Sequence, residues 1–220
     1  MAEEEEKAHT NLAPHRCMSR AADRALLVDF DGVLRIWPRL GEDLGIPEPE
    51  IQRAAFAPAL LREAVTGALS DEAWRDRVAS VLSVEYGDRL ARAAVARWSL
   101  PCGVVVPEVA ALLRHVAPDV RVVLATNATS RLPRDLQTLG LSGLFYSLAN
   151  SSEIGHAKPD MEFFQAALSL AGIAAQRALF IDDTAENVAA ATALGIAAHH
   201  FTSASLMEQF LREQGVLPSQ

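Results

Sequence analysis

The sequence predicts an α/β protein: a parallel sheet covered by helices on both faces, with an all-helical insert near its start. Three observations carry this. An apolar run, Leu26-Leu27-Val28, leads into Asp29-Phe30-Asp31-Gly32-Val33, which reads as a short buried strand closed by a turn. Residues 41–100 then give only helical signals, too long an excursion for an ordinary crossover. From Pro107 on, apolar runs of strand length alternate with helical stretches of about ten residues.

Taken in order, residues 1–24 read as a disordered or loosely attached tail, with the acidic block Glu3–Glu6 and no sustained periodicity from His9 to Arg20. After the first strand comes a loop over 35–40 with Trp37, Pro38 and Arg39. In the helical stretch, Ile51, Ala54, Ala55, Ala59 and Leu60 keep helical spacing. Ser70-Asp71 starts another helix, with Trp74, Val78, Val81 and Leu82 on one side. Residues 89–98 make a third run, and Pro101-Cys102-Gly103 reads as a return hinge. Residues 37–100 are therefore expected to form a small helical domain, with 25–36 and 101–220 as the core.

The core then alternates. A helix opens at Pro107 and runs through Val109, Leu112, Leu113 and Val116, and a strand covers 120–125. A helix over 132–139 ends at Gly140, and 145–148 is a short strand candidate. Pro159 opens a helix through Phe163, Phe164, Ala167 and Leu170, stopped by Gly172. A strand over 178–181, a helix over 185–194, a strand over 196–199 and a helix over 205–213 complete the chain. Right-handed crossovers would make this a Rossmann-like sheet with every strand's carboxyl end on one edge, where ligands of such folds bind.

Composition narrows the function classes. Half of the 220 residues are hydrophobic and 22% are charged, a globular balance. A net charge of -8 argues against nucleic acid as a main partner. Cys17 and Cys102 make neither a disulfide framework nor a metal motif. No apolar run approaches a membrane span and the acidic start is unlike a signal peptide, so a cytoplasmic protein, monomeric or homodimeric, is expected.

What stands at the strand ends points to chemistry. Asp29 and Asp31, two residues apart on a strand, would leave the same face, where two carboxylates need a cation, a shared proton or backbone N–H groups to coexist. The second strand runs into Thr126-Asn127, and a later one into Asp182-Asp183. Lys158-Pro159 precedes a helix, and Lys158 is one of only two lysines among 20 basic residues. A chain that otherwise chooses arginine keeps a compact ammonium there. Singly, each has an ordinary reading: a turn with a cap, a capping box over 183–186, a solvated lysine. Convergence on one sheet edge favours phosphoryl transfer. Carboxylates suit Mg²⁺, while a hydroxyl, loop N–H groups and an ammonium cradle phosphate oxygens. One aspartate can attack phosphorus and a second can protonate the leaving oxygen, then deprotonate water.

Asp29-Phe30-Asp31-Gly32-Val33, Thr126-Asn127, Lys158-Pro159 and Asp182-Asp183 resemble, in order, the four motifs of the haloacid dehalogenase-like hydrolase superfamily. The position of the insert resembles the subfamily with an α-helical cap. The resemblance implies Asp29 as nucleophile and Asp31 as general acid/base, lending its main-chain carbonyl to the metal. Thr126 and Asn127 would hold the phosphate, and Lys158 would bridge Asp29 and the phosphate. Asp183 would ligate Mg²⁺ directly and Asp182 through a water. The family's dehalogenases lack an aspartate at the position of Asp31, so the resemblance favours a phosphatase of a small phosphorylated metabolite, with a phosphomutase or a non-catalytic binding protein as alternatives.

Candidates for specificity in the cap are Trp37, Arg39, Arg62, Trp74 and Trp98, the aromatics being expected chiefly as cap core. The stretch Thr66–Trp74 resembles a segment of capped members acting on sugar phosphates. His156 reads as an ordinary loop residue, and His199 and His200 lack partners for a second metal site.

Overall fold

A computed structural model describes residues 22–38 and 44–218. The expectations for residues 1–21, including Cys17, and for Arg39 fall outside these. Strand β1 (Arg24–Val28) already begins at Arg24, where the tail was expected to continue.

β1 is the middle of a five-stranded sheet. It pairs in parallel with β4 (Val120–Thr126) on one side and with β6 (Ala178–Asp182) on the other. β5 (Ser147–Asn150) and β7 (Ala197–His200) complete the order β5-β4-β1-β6-β7, every pair parallel. The period-two alternation of strands explains why these runs are apolar throughout. Leu26, Val28, Val122, Leu124, Leu179 and Ile181 enter one core layer. Ala25, Leu27, Val123, Ala125, Ala178 and Phe180 enter the other. Helices α5 (Pro107–His115), α6 (Leu132–Thr138) and α10 (Ala204–Glu213) cover the first layer, with Val109, Leu136 and Met207 among their buried residues. Helices α8 (Met161–Ala171) and α9 (Ala185–Ala193) cover the second, where Phe164 meets Phe163 and Phe180 edge-on at 5.7 and 5.3 Å.

The insert is all-helical: α1 (Glu48–Ala55), α2 (Pro58–Val65), α3 (Asp71–Tyr86) and α4 (Asp88–Trp98). Ser70 caps α3, its hydroxyl accepting from the Ala73 N–H at 3.1 Å. Gly87 turns the chain into α4 at φ 77°, which a side chain would strain. Ile51, Trp74, Val78, Leu82, Ala91 and Val95 form a separate apolar cluster. Val81, expected beside them, is half exposed. The insert rests on the core loops through Arg62 to Asp160 (3.1 Å) and the Thr129 hydroxyl to Asp71 (2.8 Å).

Three details differ from the sequence expectation. The segments entering and leaving the insert pair as an antiparallel two-stranded ribbon, β2 (Arg35–Ile36) with β3 (Val104–Val105). A one-turn helix, α7 (Ser151–Ile154), follows β5, which itself starts two residues later than expected because Ser147 registers with Val123. Pro159 does not open α8. The Lys158–Pro159 bond is cis, and the helix begins at Met161 behind Asp160.

Candidate active site

The carboxyl ends of β1, β4 and β6 meet above the sheet, and a lysine from the loop before α8 reaches back between them. Asp29 continues β1 by one residue, its N–H donating to the Ile181 carbonyl at 2.9 Å. The Lys158 ammonium donates to Asp29 Oδ1 at 2.7 Å, to Asp182 Oδ2 at 2.6 Å and to the Ala125 carbonyl at 2.9 Å. Three donors meet three acceptors, with the lysine side chain 1% exposed. The compact, buried head explains a lysine among arginines: a planar guanidinium would not fit between two carboxylates and a strand end.

Burial pushes the Asp29 carboxyl up to about 7, the Lys158 ammonium opposing the shift and the nearby Asp182 charge adding to it. Asp182 is fully buried. Its Oδ1 accepts from the Thr184 N–H (2.8 Å) and Asn187 Nδ2 (3.0 Å), and its Oδ2 from Lys158 and Asn187. The residue anchors the start of α9 as well as the lysine. The ordinary reading of a capping box over 183–186 is not what forms: Thr184 is the N-cap of α9 without a side-chain cap bond, and its N–H donates to Asp182.

Asp29, Asp182 and Asp183 each bring one carboxylate oxygen within 4.8 Å of the others. An all-oxygen group with this charge fits a hard divalent cation such as Mg²⁺, which retains several waters. Asp182 is already saturated by donors, so Asp29 and the exposed Asp183 are the side chains with oxygens to give. Asp183 leans on the turn after β1. A Cβ built on Gly32, where φ is +79°, would lie 1.9 Å from Asp183 Oδ2, so only glycine lets the two loops meet.

One sequence expectation requires correction, and a second gains detail. Asp31 does not share the space of Asp29, because β1 has ended and the strand alternation no longer applies. Its carboxylate is gripped instead by Arg35 through Nε and Nη2 at 2.7 and 2.9 Å, and the Trp37 indole donates to it at 2.8 Å. Its side chain is thus outside the carboxylate trio and only its main chain could join a metal. Asn127 spends its carboxamide on the backbone of Lys158, accepting at 2.8 Å and donating at 2.9 Å. It positions the lysine, and any contact with a phosphate would come from its main chain. Thr126 is buried at the end of β4, next to this pair.

Several residues of the site carried no signal that was read. Arg35, buried, also donates to Asp135 at 2.9 Å and stacks its guanidinium over Phe30 and Trp37 at 4.0 and 4.5 Å. Arg131 holds the other oxygen of Asp135 at 2.7 Å and reaches the Ser99 and Pro101 carbonyls of the return hinge. Ser151 steadies the loop after β4 by accepting from the Ala128 N–H at 3.0 Å. His200 contacts the Asp183 carbonyl at 2.9 Å. The i, i+4 spacing of Asp31 and Arg35 and the Asn five residues after Asp182 were the available clues. His156 is exposed, and His199 stacks on Phe210 at 4.8 Å. Arg62 pairs with Asp160, while Trp74 and Trp98 belong to the insert's apolar cluster and also face a cavity of about 450 Å³ between insert and sheet. Trp37 and Asp31 border the same cavity.

Residues 24–195 match the haloacid dehalogenase-like hydrolase family. No curated protein matches the chain. Among solved structures, a HAD family enzyme from Bacteroides thetaiotaomicron, in complex with magnesium and inorganic phosphate, is similar over 80% of this chain and 93% of its own, with 23% identity and a TM-score of 0.63. A HAD-like family hydrolase from Porphyromonas gingivalis covers 88% of this chain and 100% of its own, at 22% identity and a TM-score of 0.62. An L-2-haloacid dehalogenase from Xanthobacter autotrophicus, with chloropropionic acid covalently bound, covers 89% and 85% at 16% identity and a TM-score of 0.59. With its five-stranded parallel sheet, its helical insert and a family match from β1 to the end of α9, the chain belongs to the haloacid dehalogenase-like hydrolases.

Proposed function

We propose that the protein is a Mg²⁺-dependent phosphatase of a small phosphorylated metabolite, acting through an aspartyl-phosphate at Asp29. The observation that carries this reading is the carboxylate trio of Asp29, Asp182 and Asp183 within 4.8 Å. Displacement of halide from carbon needs one carboxylate nucleophile and no divalent cation beside it. Transfer of a phosphoryl group, with its several negative oxygens, gains from a site built to hold a divalent cation. One structure similar in fold was solved with magnesium and inorganic phosphate, and another, a dehalogenase, with chloropropionic acid covalently bound.

The chain's own residues then act in two half-reactions. Asp29 Oδ forms a bond to phosphorus as the bond from phosphorus to the substrate oxygen breaks, and Asp31 gives that oxygen a proton. Water then bonds to phosphorus as the bond to Asp29 breaks, and Asp31 takes the water's proton. A Mg²⁺ held by Asp29, Asp183 and the Asp31 carbonyl would supply charge neutralisation on the transferring oxygens. Lys158, Thr126 and the main chain of Asn127 would orient the phosphate. Asp31 must turn from at least one of its donors, Arg35 or Trp37, to reach the substrate oxygen. A screen of phosphate esters and 2-haloacids, reading released phosphate and halide, tests the assignment. Phosphate release that stops with EDTA and returns with Mg²⁺ is expected. Halide release without phosphate release would overturn it. Mg²⁺ should also raise the melting temperature, since it binds only the folded cluster.

A further inference from the structure

The cavity of about 450 Å³ between insert and sheet begins at Asp31 and Asn127, beside the point where a phosphoryl group would be attacked. Its wall divides by chemistry. Phe56, Leu61, Val65, Trp74 and Trp98 bring apolar surface. Trp98 packs on Phe56 and Trp74, with ring centroids 6.1 and 6.0 Å apart. Most polar wall groups are engaged with one another; among the described residues Arg75 Nε is the one buried polar atom of this wall without a partner. Asp31 is held by Arg35 and Trp37, and Asp135 by Arg35 and Arg131. Asp71 is held by Arg75 and Thr129, and Gln52 donates to Glu48.

A sugar carries a hydroxyl on nearly every carbon, and each must recover in the site the hydrogen bonds it gives up to water. Here that would mean, beyond the single open donor Arg75 Nε, opening ion pairs already made. An apolar ring makes no such demand and covers the aromatic wall. We propose that the cavity receives the leaving-group half of the substrate, and that this half is an apolar, aromatic-sized alcohol rather than a sugar. The inference rests on the phosphatase reading and names the substrate class of that site. Size agrees with it: a cavity of ~150 Å³ holds benzene, so this one has room for a ring and a short link to the phosphate. Of the Thr66–Trp74 stretch, which resembles a segment of sugar-phosphate members, Asp71 and Trp74 line the cavity and the others have separate tasks. A Cβ on Gly67 would lie 2.1 Å from the Ser152 carbonyl, Ser70 caps α3, and Asp71 takes the Thr129 hydroxyl. Those contacts dock the insert on the core.

The three tryptophans of the chain all border the cavity, so tryptophan emission reports its occupant. Hydrolysis of 2-phenylethyl phosphate and of a hexose 6-phosphate, with Mg²⁺, compares two primary alcohols of similar leaving ability. The kcat/KM should favour the phenylethyl ester by ~10- to 100-fold, the range expected for burying one ring. Phe56→Ser, at a half-exposed residue, should remove most of that preference. In parallel, 2-phenylethanol should change the tryptophan emission of the full chain and a free hexose should not. An equal or higher kcat/KM for the hexose ester overturns the proposal. Should no ester release phosphate, the phosphatase reading is what has failed. The emission titration then decides the cavity alone: a response to 2-phenylethanol supports it, and silence, or a response to the hexose only, overturns it.

Discussion

Asp29 and Asp31 stand two residues apart and meet opposite fates. Asp29, its side chain 10% exposed, faces an ammonium that it shares with Asp182. Asp31, 41% exposed, is gripped by the fork of Arg35 on the cavity side. The first arrangement is one cation among buried anions, net negative, with room for a further positive charge. The second is a flat, bidentate pair in a charge network that also ties Asp135 and Arg131 to the hinge of the insert. One run of sequence thus serves two regions: the sheet edge, where charge waits to be neutralised, and the seam with the insert, where charge is already matched. The choice of lysine in one and arginine in the other follows from that difference.

Substitutions can break the contrast, and the largest effect is expected at Asp29. Asp29→Asn should lower kcat by at least ~10³-fold while the protein stays folded, since it removes a buried charge beside other carboxylates. Steady-state rates with far-ultraviolet circular dichroism check both halves. Lys158→Met comes next. It strands Asp29 and Asp182 without their shared cation, and breaking such a buried pair costs ~3–5 kcal/mol, to be read from urea unfolding. Arg35→Met should be milder in stability, because Arg131 still holds Asp135, but it frees Asp31 from its bidentate partner. A fall in kcat of about tenfold, with KM little changed, is expected if positioning of the acid/base matters. An unaltered kcat would show that the grip on Asp31 is structural only.

The smallest effect is a pH dependence that separates the two carboxylates. Asp29 titrates near 7 in the fold against 3.8 unfolded, so the folded chain holds its proton more tightly. Its contribution to stability is complete below about pH 4 and is lost as pH rises through about 7. The metal-free protein should therefore lose melting temperature between about pH 4 and 7, and Asp29→Asn should flatten that slope. Asp31→Asn should leave it in place. Added Mg²⁺ should oppose the loss, most strongly at the alkaline end.

Much of this was legible in the residues. The strand-helix alternation after Pro107 survives as β4 to α10, because apolar runs of both faces and glycine stops fix the elements locally. The four motif loops do meet, since parallel strands leave no other place for their ends. What escaped was decided by tertiary contact. The two-residue strands β2 and β3 have no periodicity to read and exist only because the chain crosses itself on the way into and out of the insert. Asp31 was expected beside Asp29 from strand alternation, yet the strand had already ended, and a buried arginine four residues on set its direction. The carboxamide of Asn127 clamps the backbone of Lys158, a pairing across thirty-one positions that no local pattern announces.

The most direct test of Asp29 as nucleophile is to quench the Mg²⁺-loaded protein within its first turnovers of a phosphate ester and map the modified peptide by mass spectrometry. A phosphoryl group on the carboxylate of Asp29, absent in Asp29→Asn and decaying as free phosphate appears, is the expected result. Steady phosphate release with Asp29 never modified, or with the phosphoryl group on another residue, would contradict it.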